Sequence, residues 1–179
     1  MTRGTLALKP IMMDIILKQC LGIDVSKSSL SLTLGYLNHG LGKRFESHLD
    51  VSNDLAGYKM LVKWLEKSLD ANVDFIIVME ATGVYHQHVA HYLYEHGYGI
   101  SIMQSGRVKR YAQSLDQRSK TDALDSRMLS MLGLERTPLL WHPPSPALRE
   151  LKVLSRERSS LLKDRTVETN RQEALLSSV

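Results

Sequence analysis

The sequence predicts an α/β fold: a mixed sheet with helices on its faces, in the order βββαβαβα, followed by one long helix. Three observations carry this. Leu30, Leu32 and Leu34 alternate with Ser31 and Thr33, the period of a half-buried strand in an antiparallel meander. Phe75-Ile76-Ile77-Val78 is an unbroken apolar run of the kind a sheet buries on both faces. Segments of helical spacing flank that run, so the later strands join through crossovers as parallel neighbours.

Taken in order, residues 1–18 lack a regular pattern and read as a poorly ordered leader. The first strand starts at Gln19 and continues through the apolar, β-branched stretch to Val25; Ser26-Lys27-Ser28 supplies the turn into the alternating strand. Asn38-His39-Gly40 turns the chain again, and residues 43–51 form a third, more polar strand. Ser52-Asn53-Asp54 offers helix caps ahead of Leu55, Met60, Leu61, Trp64, Leu65 and Leu69, which repeat at helical spacing. The buried strand 74–79 stops at Glu80. Residues 84–95 predict a helix closed by His96-Gly97, 98–103 another strand, 108–114 a basic helix, 118–121 a loop, and 122–134 a helix rich in Leu and Met. This order matches an RNase H-like domain over residues 19–137. Pro143-Pro144-Ser145-Pro146 lies in a linker, residues 138–146, because each proline restricts itself and its predecessor. Residues 147–179 hold no glycine or proline, and Leu151, Leu154, Leu161 and Leu175 fall at coiled-coil spacing. Arg158 and Arg165 also occupy the seam, so the expected homo-oligomer through this helix pairs antiparallel or staggered.

A chain of 179 residues with 43% hydrophobic content buries one core and carries an appendage. The net charge of +4 leans toward an anionic partner without requiring one. Cys20 is the only cysteine, which rules out an internal disulfide and a cysteine zinc site and predicts a core thiol. No stretch approaches the roughly 20 apolar residues of a membrane span, so a cytoplasmic protein without membrane contact is expected.

Four carboxylates stand out. Asp24 interrupts an apolar strand, where an unpaired carboxylate costs several kcal/mol unless a cation or donors surround it. Alone, a strand end reaching solvent accounts for it as well. Glu80 closes the other strongly apolar strand and, alone, is simply its terminus. Asp122 and Asp125, three residues apart at a helix start, share a face, and the positive end of the helix dipole is sufficient reason for both. Together, however, they place acids at the ends of two core strands and on one helix face, which a mixed sheet can bring to one edge. Clustered carboxylates repel unless a hard divalent cation neutralises them, and magnesium takes a few carboxylate oxygens plus water and phosphate oxygens. Such a site suits phosphodiester chemistry.

The blocks Gly22-Ile23-Asp24-Val25-Ser26-Lys27, Glu80-Ala81-Thr82-Gly83 and Lys120-Thr121-Asp122-Ala123-Leu124-Asp125 resemble the three signature blocks of the DEDD transposases, an insertion-sequence group that includes Piv-like DNA invertases. The resemblance covers about residues 21–134, with the blocks in the family's order and spacing. It implies a RuvC-type fold in which Asp24, Glu80, Asp122 and Asp125 form a catalytic tetrad holding one or two magnesium (Mg2+) ions. It further implies magnesium-dependent DNA strand cleavage and transfer, a coiled coil, a later domain with a nucleophilic serine that is expected beyond Val179, and in some members a structured guide RNA. The family's asparagine-proline before the basic helix is replaced here by Gln104-Ser105.

Arg107, Lys109, Arg110, Arg118 and Lys120 concentrate positive charge just ahead of the acidic pair. A solvated helix face explains such a run by default; beside a phosphodiester site, contact with a nucleic-acid backbone is the stronger expectation. His86, His88, His91 and His96 spread around a helix and only His88 and His91 share a face, which argues against zinc. Two other readings compete: an actin-like kinase or ATPase, suggested by Gly22-Ile23-Asp24-Val25 but lacking the glycine a phosphate loop needs next, and a non-catalytic remnant that binds nucleic acid or assembles with a full-length transposase.

Overall fold

A computed structural model of the chain describes residues 15–81, 83–115 and 122–177, and for Ser47 and residues 122–124 the backbone only. The chain falls into two compact units, Met1–His142 and Pro143–Val179. The first holds strands β1 (Ile16–Val25), β2 (Ser29–Asn38), β3 (Lys43–Ser52), β4 (Asp74–Glu80) and β5 (Ile100–Met103), with helices α1 (Leu55–Ser68), α2 (His86–Glu95), α3 (Ser105–Ser114) and α4 (Asp122–Glu135). The sheet runs β3-β2-β1-β4-β5. β1, β2 and β3 form the antiparallel meander, while β4 lies parallel to β1 and β5 parallel to β4. The second unit is one helix, α5 (Pro146–Ser177), with no buried residue.

Several boundaries differ from the sequence reading; β5, for one, starts at Ile100 rather than residue 98, because the Tyr98 amide is still tied to the Leu93 carbonyl at 3.2 Å. β1 starts at Ile16 rather than Gln19, because Ile16 finds a partner in Asn38. Of the expected leader, residues 1–14 lie outside the described residues. α3 starts at Ser105 rather than residue 108: the Gln104 carbonyl accepts from the amides of Arg107 and Val108, at 2.8 and 3.2 Å. α2 starts two residues late, the chain first making a turn in which the Gln87 amide reaches the Val84 carbonyl at 3.2 Å.

Strand alternation sorts the core into two layers. Leu21, Ile23, Val25, Ile77 and Met79 face α1 and α2, packing with Tyr58, Leu61, Leu65, Val89 and Leu93. Cys20, Ile76 and Val78 face the other way and pack with Val108 of α3 and Met128, Leu129 and Leu132 of α4. Each fully buried side chain of this size contributes about 1.5–3 kcal/mol. Cys20 is fully buried, and burial pushes its thiol up to about 12, as an inert core thiol requires.

α4 touches β1 almost backbone to backbone. A Cβ on Gly133 would lie 2.2 Å from the Cys20 sulfur, and one on Gly22 would collide with the α4 main chain. The Ser130 hydroxyl donates to the Cys20 carbonyl at 2.8 Å. At the far end, the Lys18 ammonium donates to the carbonyls of Gly133 and Arg136, both at 2.7 Å, satisfying terminal acceptors where the helix dipole favours a cation. Gly133 near Cys20 and Ser126 over Gly22 show that α4 runs opposite to β1, its start at the β1 C-terminal edge.

Candidate active site and basic cleft

That edge is where the acidic residues gather. Ile23 of β1 pairs with Met79 of β4, and Asp24 and Glu80 are the next residues of the two parallel strands. Alternation places Asp24 on the face of Cys20 and Gly22, and Glu80 on that of Ile76 and Val78, which is the α4 face. Asp125 follows in the first turn of α4, immediately before Ser126, whose carbonyl overlies Gly22. Asp24, Glu80 and Asp125 are all half-buried. Asp122 is the first residue of the same helix, and its side chain lies outside the described residues. Among the described residues, no three His, Cys, Asp or Glu side chains stand together as a ready metal cage. The backbone therefore brings Asp24, Glu80 and Asp125 to one edge and one face without closing their carboxylates into a cluster. As a donor set they are all hard carboxylate oxygens, the ligand type magnesium takes.

Next to Asp24 lies a polar patch that sequence reading did not single out. Ser31 of β2 pairs with Asp24 on one side and with Asp50 of β3 on the other. Its hydroxyl donates to Asp50 Oδ1 at 2.6 Å, and His48 Nε2 lies 3.3 Å from Ser31 Oγ. The alternation of β2 carried these hydroxyls as strand polarity only; their partners are set by the register with β1 and β3.

The basic residues occupy a separate place. Arg107 and Arg110 of α3 line a cleft of about 460 Å³ together with Met103, Tyr111, Arg136 and Pro138. Lys109 sits on the same helix and is exposed, whereas Arg118 and Lys120 lie outside the described residues. Arg136 is a further cation of the cleft, concealed in the sequence because it comes from just past the end of α4. None of the three arginines forms an ion pair among the described residues. One wall is braced by Glu135, which accepts from the Tyr111 hydroxyl at 2.8 Å and from the Lys43 ammonium of β3. Burial pushes the Glu135 carboxyl up, but the bonds from Lys43 and Tyr111 outweigh it and hold the group below the usual carboxylate range. Burial, and then the bond to Glu135, raise the Tyr111 phenol.

The strand order, the crossover connections and the acidic edge define an RNase H-like domain of RuvC type. Two structures of Thermus thermophilus RuvC, one in complex with a Holliday junction substrate, superpose with TM-scores of 0.50 over 69% of this chain and 99% of theirs, at 10% and 11% identity. A model of the DEDD transposases of the IS110 group matches residues 21–179, and the chain belongs to that family. The pilin gene-inverting proteins of Moraxella lacunata and Moraxella bovis are 28% identical over 158 residues, 88% of this chain. The chain spans about half, 47%, of the length of these curated relatives.

Proposed function

We propose that this chain supplies the metal-binding site of a DNA recombinase that cleaves and transfers strands in the movement or inversion of a DNA element. The observation that carries the reading is the placement of Asp24 and Glu80 side by side at the end of two parallel strands, where α4 delivers Asp125 to the same face. Asp24, Glu80, Asp122 and Asp125 are the residues that would hold one or two magnesium ions. Bound there, magnesium supplies the positive charge that lowers the barrier to attack on a phosphodiester and stabilises the leaving oxygen. The chain itself presents these residues from a sheet edge and a helix start, and a bound cation would draw their carboxylates together.

DNA is the proposed substrate, bound in part through Arg107, Lys109, Arg110 and Arg136. A structured guide RNA, which the family resemblance adds, would offer the same phosphates to these cations. No described helix is long and apolar enough to cross a membrane, and a protein acting on DNA would work in the cytoplasm. Self-association is assigned to α5, whose Leu151, Leu154 and Leu161 are each 60% exposed.

The test of the function is strand cleavage of branched and element-end DNA with magnesium by the full-length protein, including the serine-bearing domain that the family resemblance implies, and by its Asp24→Asn variant. The reading expects metal-dependent nicking that the substitution abolishes while the thermal melt stays cooperative. Nicking that survives Asp24→Asn would remove Asp24 from the chemistry.

A further inference from the structure

Two buried hydroxyls join the sheet to α4 beside the acidic edge. Thr33 Oγ1 of β2 lies 2.8 Å from Ser126 Oγ of α4, with Thr33 5% exposed and Ser126 fully enclosed. From Thr33 the polar contacts continue across the sheet. His48 Nδ1 is 3.5 Å from Thr33 Oγ1, its Nε2 is 3.3 Å from Ser31 Oγ and from Asp50 Oδ1, and Ser31 donates to Asp50. The chain of contacts thus begins at Ser31, directly opposite Asp24, and ends at Ser126, directly after Asp125.

A serine-histidine-aspartate nucleophile is not built here. In that arrangement the acid binds the histidine Nδ1 and the serine gives its proton to Nε2. Ser31 instead donates its hydrogen bond to Asp50, and Nδ1 faces Thr33. Nor does packing alone call for hydroxyls at 33 and 126, since valine and alanine would fill similar space without the cost of burying polar groups. What a hydroxyl pair adds is geometry. A satisfied buried polar contact favours one arrangement of the elements over neighbouring ones. One residue of helical advance is a rotation of about 100°, so a small slip of α4 would turn Asp125 away from the sheet edge.

We infer that Thr33 and Ser126 are positioning residues of the acidic site: a buried latch that sets the rotation of α4 on the sheet and so places Asp125 relative to Asp24. Ser31, His48 and Asp50 extend the latch to β3. The inference rests on the proposed metal site, and its test separates the two. Manganese(II) alone is titrated into the full chain, with free metal followed by electron paramagnetic resonance and folding by thermal melts. Thr33→Val and Ser126→Ala are compared with Ser130→Ala, which removes a comparable buried bond farther along α4, and with Asp24→Asn.

The latch predicts that Thr33→Val and Ser126→Ala weaken manganese binding about 10-fold or more, the loss seen when a ligand's supporting partners are removed. Thr33→Ser restores binding, and Ser130→Ala lowers the melting temperature to a similar extent while binding metal like wild type. The latch is overturned, with the metal site intact, if Asp24→Asn loses the metal but both latch variants bind normally. Equal weakening by Ser130→Ala reduces Thr33 and Ser126 to ordinary packing. Should wild type bind no manganese, or Asp24→Asn bind it unchanged, the metal site fails first and the latch falls with it.

Discussion

A Cβ placed on Gly22 would lie 1.9 Å from the carbonyl oxygen of Ser126 and 2.4 Å from the amide nitrogen of Ser130. Both obstacles are helix backbone, so no rotamer change relieves them and α4 must lift from β1. Gly22→Ala should destabilise the domain by at least the ~1–3 kcal/mol typical of overpacking a core. It should also displace Asp125 from the edge that carries Asp24. Urea unfolding measures the first effect, and an unchanged midpoint would mean that the helix does not rest directly on the strand.

The cleft between α3 and the end of α4 carries a salt-dependent prediction. If Arg107, Arg110 and Arg136 neutralise phosphates, replacing all three with alanine should reduce the magnitude of the log-affinity against log-salt slope on duplex DNA. The reduction should be about 0.9 for each phosphate no longer neutralised. Fluorescence anisotropy over a salt series reads the slope. The same slope and affinity in the triple variant would return these arginines to solvated surface.

Glu135 predicts a pH dependence. Its folded value lies below the ordinary 4.5, so the unfolded chain binds that proton more tightly than the native one. The stabilisation is complete above the ordinary value and disappears as pH falls through the lower folded value. Glu135→Gln should therefore be less stable than wild type at about pH 7, with the difference shrinking toward about pH 3. Denaturant midpoints at the two conditions check this, and a gap that stays constant with pH would disconnect Lys43 and Tyr111 from stability.

The exposed leucines of α5 predict self-association. Light scattering of the chain with and without residues 146–177 should show the larger species only when the helix is present. Arg158 and Arg165 at the seam would repel in a parallel in-register pair, so cysteines placed at matched positions should cross-link poorly compared with staggered ones. A monomer unaffected by the deletion would contradict the assignment.

Much of the fold was legible because its signals are local. The alternation in β2, the apolar run of β4 and the helical spacing of α1 each depend on neighbours in sequence. The acidic edge was legible in outline for a related reason: Asp24 and Glu80 each end a readable strand. Long-range facts were not. The Thr33–Ser126 pair joins residues 93 positions apart, and nothing near either of them announces it. Gly22 and Gly133 look like ordinary glycines until α4 is laid over them, and Arg136 joins the basic residues of α3 only because α4 ends beside that helix. The early start of β1 was hidden as well, because pairing with Asn38, not local pattern, extends the strand to Ile16.

The central claim is that Asp24, Glu80, Asp122 and Asp125 hold a shared divalent cation. Anomalous diffraction from crystals grown with manganese(II) tests it most directly. A shared site predicts an anomalous peak at the C-terminal edge of β1 and β4, with carboxylate oxygens of Asp24 and Asp125 both among its ligands. An ordered manganese ion elsewhere on the domain, with no density at that edge at saturating metal, would contradict it.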